Sequence, residues 1–225
     1  MFLGHFAVAF AAKKMHPKTS LPVYFVAAQF LDLLWPSFLM MGVEHVHLAT
    51  DPSAPIPLLF SHYPYSHSLA MVLGWAILFA ALYKYFTKDS TGAALGGVLV
   101  ISHWLLDLVV HLADLPLWPG DSMMLGLGLW QWPIVTLTIE ILFFVIAVAL
   151  YLTSTDAAKT KGKFRILSLI TFLVIIHLLN IFGPAPTDTN AVAWDAQTQW
   201  LLILWAWWAD KKRTNENLEA RTGLA

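Results

Sequence analysis

The chain has 225 residues, 58% hydrophobic and 12% charged, with a mean hydropathy of +0.66, 11 tryptophans and a formal net charge of −1. A soluble domain carries about 25% charged residues, so this chain has too few to coat a globule in water and reads as an integral membrane protein. It has no cysteine, which excludes disulfides and thiolate metal sites, so any metal must rest on His, Asp and Glu. No Lys/Arg patch interleaved with aromatics stands outside the loops, so no nucleic-acid partner is expected.

In chain order, apolar segments run over 2–12 (short), 22–41, 67–86, 93–113, 130–152, 166–183 and 198–209 (short). Several approach the roughly 20 residues that cross a bilayer, and prolines or glycines punctuate most of the gaps between them. The pattern predicts an all-α, polytopic transmembrane helical bundle of about six to seven membrane helices. It forms one domain over 1–210, followed by a polar tail, 211–225. The start, MFLGHFAVAFAAKK, lacks the basic-then-apolar order and small-residue cleavage site of a secretory signal and reads as retained.

Charge orients the bundle. Lys13, Lys14, Lys18, Lys84, Lys88, Lys159, Lys161, Lys163, Arg165, Lys211, Lys212 and Arg213 fall in alternate gaps and at the end, while loops 42–66, 114–129 and 184–197 contain no Lys or Arg. The positive-inside rule makes the first set cytoplasmic and these loops extracytoplasmic. Trp118, Trp130, Trp132, Trp194 and Trp200 then fall near the outer interface, where aromatic belts are found.

Ionisable groups inside a bilayer are costly and suggest function by default. The short first helix carries His5, and segment 22–41 brings Gln29 and Asp32 to mid-depth. The stretch HYPYSHS, 62–68, places His62 and His67 at the outer edge. Segment 93–113 carries His103, Asp107 and His111 at i, i+4 and i+8, one stripe on one helix face. Segment 130–152 descends with Glu140 near mid-depth, and 166–183 rises with His177 and Asn180. His16, His45 and His47 read as solvated loop histidines, and Gly92-x3-Gly96 as a helix-packing face. Polar groups from several helices thus share the outer half of the membrane. Imidazoles and carboxylates suit zinc, with Mn or Mg also allowed by the carboxylates. His103 and Asp107, one turn apart, can bind one ion. The same residue types build proton relays, so a metal- or proton-coupled transporter and a structural metal site stand beside catalysis.

His5, Asp32 within FLDLLW, HYPYSHSL at 62–69 and SHWLLDLVVH at 102–111 resemble the YdjM-like family of bacterial membrane-bound metal-dependent hydrolases. The nearer likeness is to an uncharacterised subgroup with stretches like AAQFLDLLWP and GLGLW (27–36 and 126–130). More distantly, the order of ligands is similar to that of the zinc-dependent phospholipase C and nuclease group. The resemblance implies a metal set of His5, Asp32, His62, His67, His103 and Asp107, with His111 able to reach a second ion. Two departures stand out: Tyr63 and Pro64 replace the usual Arg and Gly, and Thr136 stands where the phospholipase group's second His would precede Glu140.

The sequence therefore predicts a membrane-embedded hydrolase using one to three divalent ions, zinc foremost. Its expected substrate is a phosphoester of a lipid or lipid-linked molecule, on the extracytoplasmic side of the bacterial cytoplasmic membrane. Glu140 or Asp32 serves as general base. Ser66 and Ser68 would support the ligands, or Ser68 would cap the helix that follows it.

Overall fold

The computed structural model describes residues 1–51, 54, 56–154, 156–157, 160–210 and 213–214. Most of the expected polar tail (211–212 and 215–225), and Lys159, lie outside the described residues. The chain is mostly helical: α1 (Phe2–Met15), α2 (Leu21–Ala28), α3 (Phe30–Met40), α4 (Pro64–His67), α5 (Leu69–Thr87), α6 (Ser90–Val110), α7 (Pro133–Thr153), α8 (Thr160–Phe182), α9 (Thr189–Gln197) and α10 (Gln199–Asp210). Two small antiparallel hairpins interrupt it. The first joins β1 (His45–Leu48) to β2 (Leu58–His62), and the second joins β3 (Leu115–Pro116) to β4 (Met124–Leu125).

Among the described residues, four helices are long and apolar enough to cross a membrane: α5, α6, α7 and residues Gly162–Phe182 of α8. They mark a membrane protein. The pair α2 and α3, bent by 56° at Gln29, would make a fifth span if counted as one. By length and composition the described residues support four or five of the six to seven membrane helices expected. The reason is physical. Segment 2–12 lies in a 14-residue helix and 198–209 in one of 12, about 21 and 18 Å long against a core of about 30 Å. Leu3, Phe6, Ala7, Ala9 and Phe10 are fully buried, so α1 is a core helix, apolar all round because it is enclosed. It packs on α7, α2 and α6.

Local signals set the ends. Ser68 Oγ accepts from Met71 N and caps α5, Asp89 accepts from Gly92 N and caps α6, and Pro133 opens α7, each a favoured terminal arrangement. α5 and α6 pack closely, with the Phe79 ring against Gly96 where a Cβ would otherwise sit. At the end carrying the lysines, Lys13 Nζ donates to the carbonyls of Pro17 and Thr19 and lies 3.3 Å from Asp210 Oδ2, which also accepts from Leu21 N. His16 is not a free loop residue: its Nε2 lies 2.6 Å from Asp89 Oδ2. Trp118, Trp132, Trp194 and Trp200 are exposed.

Candidate metal centre

His103 and Asp107 share one face of α6, as the i, i+4 spacing predicts, and both are buried. His103 Nδ1 lies 2.7 Å from the Ala28 carbonyl oxygen, at the α2–α3 bend. A carbonyl only accepts, so Nδ1 carries a proton, and in the neutral ring Nε2 keeps a lone pair. That Nε2 lies 3.1 Å from Asp107 Oδ2 and 3.6 Å from Asp32 Oδ1. Both distances would permit an ion pair, yet Nε2 makes no hydrogen bond. With the proton already placed on Nδ1, we read the contact as acceptor facing acceptor.

His67 repeats the arrangement. Ser66 Oγ is 2.7 Å from Glu44 Oε2 and 2.7 Å from His67 Nδ1. A hydroxyl has one proton and a carboxylate can only accept, so Ser66 donates to Glu44 and accepts from His67 Nδ1–H. His67 Nε2 is left as a lone pair 3.6 Å from Asp32 Oδ1 and 3.9 Å from Asp107 Oδ2.

Three acceptor atoms, Asp32 Oδ1, His67 Nε2 and His103 Nε2, form one mutually close set, and Asp107 Oδ2 joins it from the histidine side, 3.1 Å from His103 Nε2 and 3.9 Å from His67 Nε2. A tetrahedral ion with ligand bonds of about 2.0–2.1 Å has edges of about 3.3–3.4 Å. The histidine–carboxylate contacts of 3.1–3.9 Å bracket those edges, so the histidines with their facing carboxylates suit a zinc-sized ion. The Met1 ammonium pairs with Asp107 Oδ1, whereas Asp32 Oδ1 faces the two imidazole Nε2 atoms, where a cation would offset its desolvation. The Asp32 side chain is 28% exposed while the other three are at most 5% exposed, so the group opens at Asp32.

His5 reaches the other side of Asp107. Its ring stacks on His103 with centroids 3.6 Å apart, and its Nε2 lies 3.0 Å from Asp107 Oδ1. The Met1 amino nitrogen is 2.7 Å from the same oxygen. His5, His103 and Asp107 form one mutually close set of donor atoms, and Asp32, His67 and His103 form another. Asp107 presents one oxygen to each side.

Three expected residues stand elsewhere. Glu140 Oε2 accepts from Leu3 N at 2.8 Å and Gly4 N at 3.4 Å, satisfying free donors in the first turn of α1. It positions the helix that carries His5. His111 ends α6 rather than continuing its stripe. Its backbone turns extended, its Nδ1 pairs with Asp114 Oδ1 at 2.9 Å, and Trp130 packs on its ring at 4.1 Å. The GLGLW stretch closes this end, with Leu127 N donating to Leu108 O and Gly128 N to His111 O. Gly128 takes φ +73 to do so, a conformation glycine adopts without steric cost. Tyr63 donates its hydroxyl to Asp114. Burial, and then the Asp114 charge, push its phenol well above the usual range. His62 is exposed on β2, opposite His45 with ring centroids 6.0 Å apart.

His177 is buried and stacks on Phe2, while Asn180 is exposed. Ser68 caps α5, and Ser66 is the hydroxyl partner of His67. Sequence reasoning missed Glu44, which is 1% exposed. It follows the end of α3, and only the β1–β2 hairpin brings it beside Ser66, so no spacing along the chain announces it. Comparison with protein families, curated proteins and solved structures finds no match to this chain.

Proposed function

We propose that this protein is a membrane-embedded, metal-dependent hydrolase. It holds a divalent ion, zinc by its donor set, between Asp32, His67, His103 and Asp107. It cleaves an ester, most readily a phosphoester, of a lipid or lipid-linked substrate on the extracytoplasmic side of the bacterial cytoplasmic membrane. One observation carries the reading: Asp32, His67 and His103 from α3, α4 and α6 present a mutually close set of acceptors, with Asp107 Oδ2 beside both histidines and an acceptor for the Nδ1 proton of each ring. The resemblance to the YdjM-like hydrolases supports the reaction class.

A divalent ion held there supplies Lewis-acid polarisation of an ester oxygen and lowers the pKa of water. The chain supplies the rest. Asp32, the exposed member, is the carboxylate a substrate meets first, and during turnover it takes the proton-transfer role instead of ligation. Asp107 Oδ1, shared with His5 Nε2, holds a proton acceptor beside the ion. Val26, Phe30, Leu78, Phe79 and Leu82 line an apolar groove of about 370 Å³ next to the α2–α3 bend, which suits an acyl or prenyl chain. The lysine-free loops and exposed tryptophans support the outward orientation of α4 and the hairpins.

A second reading has one observation in its favour: four protein ligands can fill a tetrahedral zinc site, as structural sites do. The test separates them. Detergent-purified protein loaded with Zn or Mn is incubated with phospholipids and generic phosphodiesters. Metal-dependent cleavage that Asp107→Asn abolishes supports the hydrolase. A chain that unfolds on chelation and cleaves nothing across lipid extracts supports the structural ion.

A further inference from the structure

Both ring nitrogens of His67 face groups set by α3 and the turn that follows it. α3 carries Asp32 in its first turn, facing Nε2. At its other end the chain turns through Gly42 (φ +68), and Val43 N and Glu44 N both donate to Phe38 O. This closes the helix with a left-handed glycine and fixes Glu44 where its carboxylate meets α4. Oε1 there accepts from Tyr65 N and Ser66 N, both at 2.8 Å, and Oε2 accepts from Ser66 Oγ. Both oxygens are committed as acceptors, so the direction of the Ser66 proton is set by the backbone itself.

We propose that Glu44 is a positioning residue for the metal centre: through Ser66 it holds the His67 proton on Nδ1, and so keeps Nε2 available as a ligand lone pair. The proposal rests on the metal reading above. It follows from hydrogen-bond direction. If Glu44 presented a donor at the Oε2 position, Ser66 Oγ would accept that donor and turn its own proton to His67 Nδ1. The ring proton would move to Nε2, which would then donate to Asp32 or Asp107 instead of binding an ion. Outer partners of this kind fix the tautomer of ligating histidines, and losing one costs about 10–100-fold in metal affinity.

Glu44→Gln makes that change alone. Its carbonyl oxygen keeps the Tyr65 and Ser66 N–H bonds, and its NH2 replaces Oε2. Affinity for Zn is measured on the full chain in detergent by competition with a chelator, together with the melting temperature of the metal-free protein. The expected result is a 10–100-fold weaker Kd for Glu44→Gln with a metal-free melt that is unchanged or raised by the new Nε2–H bond to a carboxylate. Ser66→Ala should lose less, because the ring is then free to choose its tautomer. The double variant should bind like Ser66→Ala, because the amide no longer reaches the ring. A merely structural Glu44 gives losses that multiply, or a lowered melt with unchanged Kd, and either result overturns the proposal. If Glu44→Gln does not fold, Ser66→Thr should bind like wild type and Ser66→Ala more weakly; equal affinities overturn it. Wild-type protein that binds no ion overturns the metal reading itself, whereas tight wild-type binding unaffected by Glu44→Gln overturns only this relay.

Discussion

Asp32→Asn separates a metal centre from a set of buried ion pairs. Asp32 Oδ1 stands 3.6 Å from the Nε2 atoms of both His67 and His103. If those nitrogens carry lone pairs, the metal-free protein sets acceptors against acceptors, and an amide offers a donor to one of them. One new hydrogen bond contributes about 1 kcal/mol, so the variant should be as stable as wild type in chelator, or more stable by up to that amount. Added ion should reverse the order. At a free concentration of 100 times Kd, an ion stabilises wild type by about 2.7 kcal/mol, and a 100-fold loss of affinity leaves about 0.4 kcal/mol at the same concentration. Denaturant melts in detergent, with chelator and with buffered Zn, measure both differences. The reasoning is refuted if Asp32→Asn loses about 3–5 kcal/mol in chelator, the cost of breaking a buried ion pair, because His67 or His103 would then be protonated at Nε2.

Asp107→Asn should lower bound metal to background, since Asp107 Oδ1 faces His5 and its Oδ2 faces His103 and His67; elemental analysis checks it. Glu140→Gln should keep both ion and turnover, because its carbonyl can still accept from Leu3 and Gly4. Glu140→Leu should cost about 1–3 kcal/mol for each donor left unpaired, and a loss of turnover in Glu140→Gln with the ion retained would return Glu140 to proton transfer. The Gly92 N–H, and then His16, hold the Asp89 carboxyl below its usual range. A depressed folded-state pKa stabilises fully above the unfolded value of about 3.9 and is lost as pH falls through the folded value. Asp89→Asn, an equivalent helix cap, should therefore melt below wild type near neutral pH, with the gap closing in acid. A gap that does not change with pH would contradict the pairing. Cysteines placed at Ser53 and Thr214 in this cysteine-free background should be labelled by an impermeant reagent in intact cells at Ser53 alone. Labelling at Thr214 alone would invert the orientation.

Much of the centre is legible from helical spacing, because α6 is regular from Ser90 to Val110 and one turn sets His103 over Asp107. The same rule fails at His111, where the helix has ended and the extrapolated stripe no longer exists. The bend at Gln29 is silent in a run that has no glycine or proline between Pro22 and Pro36, yet it places the Ala28 carbonyl against His103. Glu140 reads as a functional acid from its depth alone; that its partners are backbone N–H groups depends on α1 being a buried core helix. Glu44 is invisible because its neighbour is 22 residues away across a hairpin. Spacing reveals ligands that share an element, and only the fold reveals the groups that set their protons.

The most direct test is the metal content of wild-type protein and of His103→Ala, purified in parallel without added metal and then titrated with Zn. His103 belongs to both close sets of donor atoms, so wild type should carry or take up at least one divalent ion per chain. The variant, still helical by circular dichroism, should hold none tightly. A folded wild-type protein that neither contains nor takes up a divalent ion would contradict the metal centre.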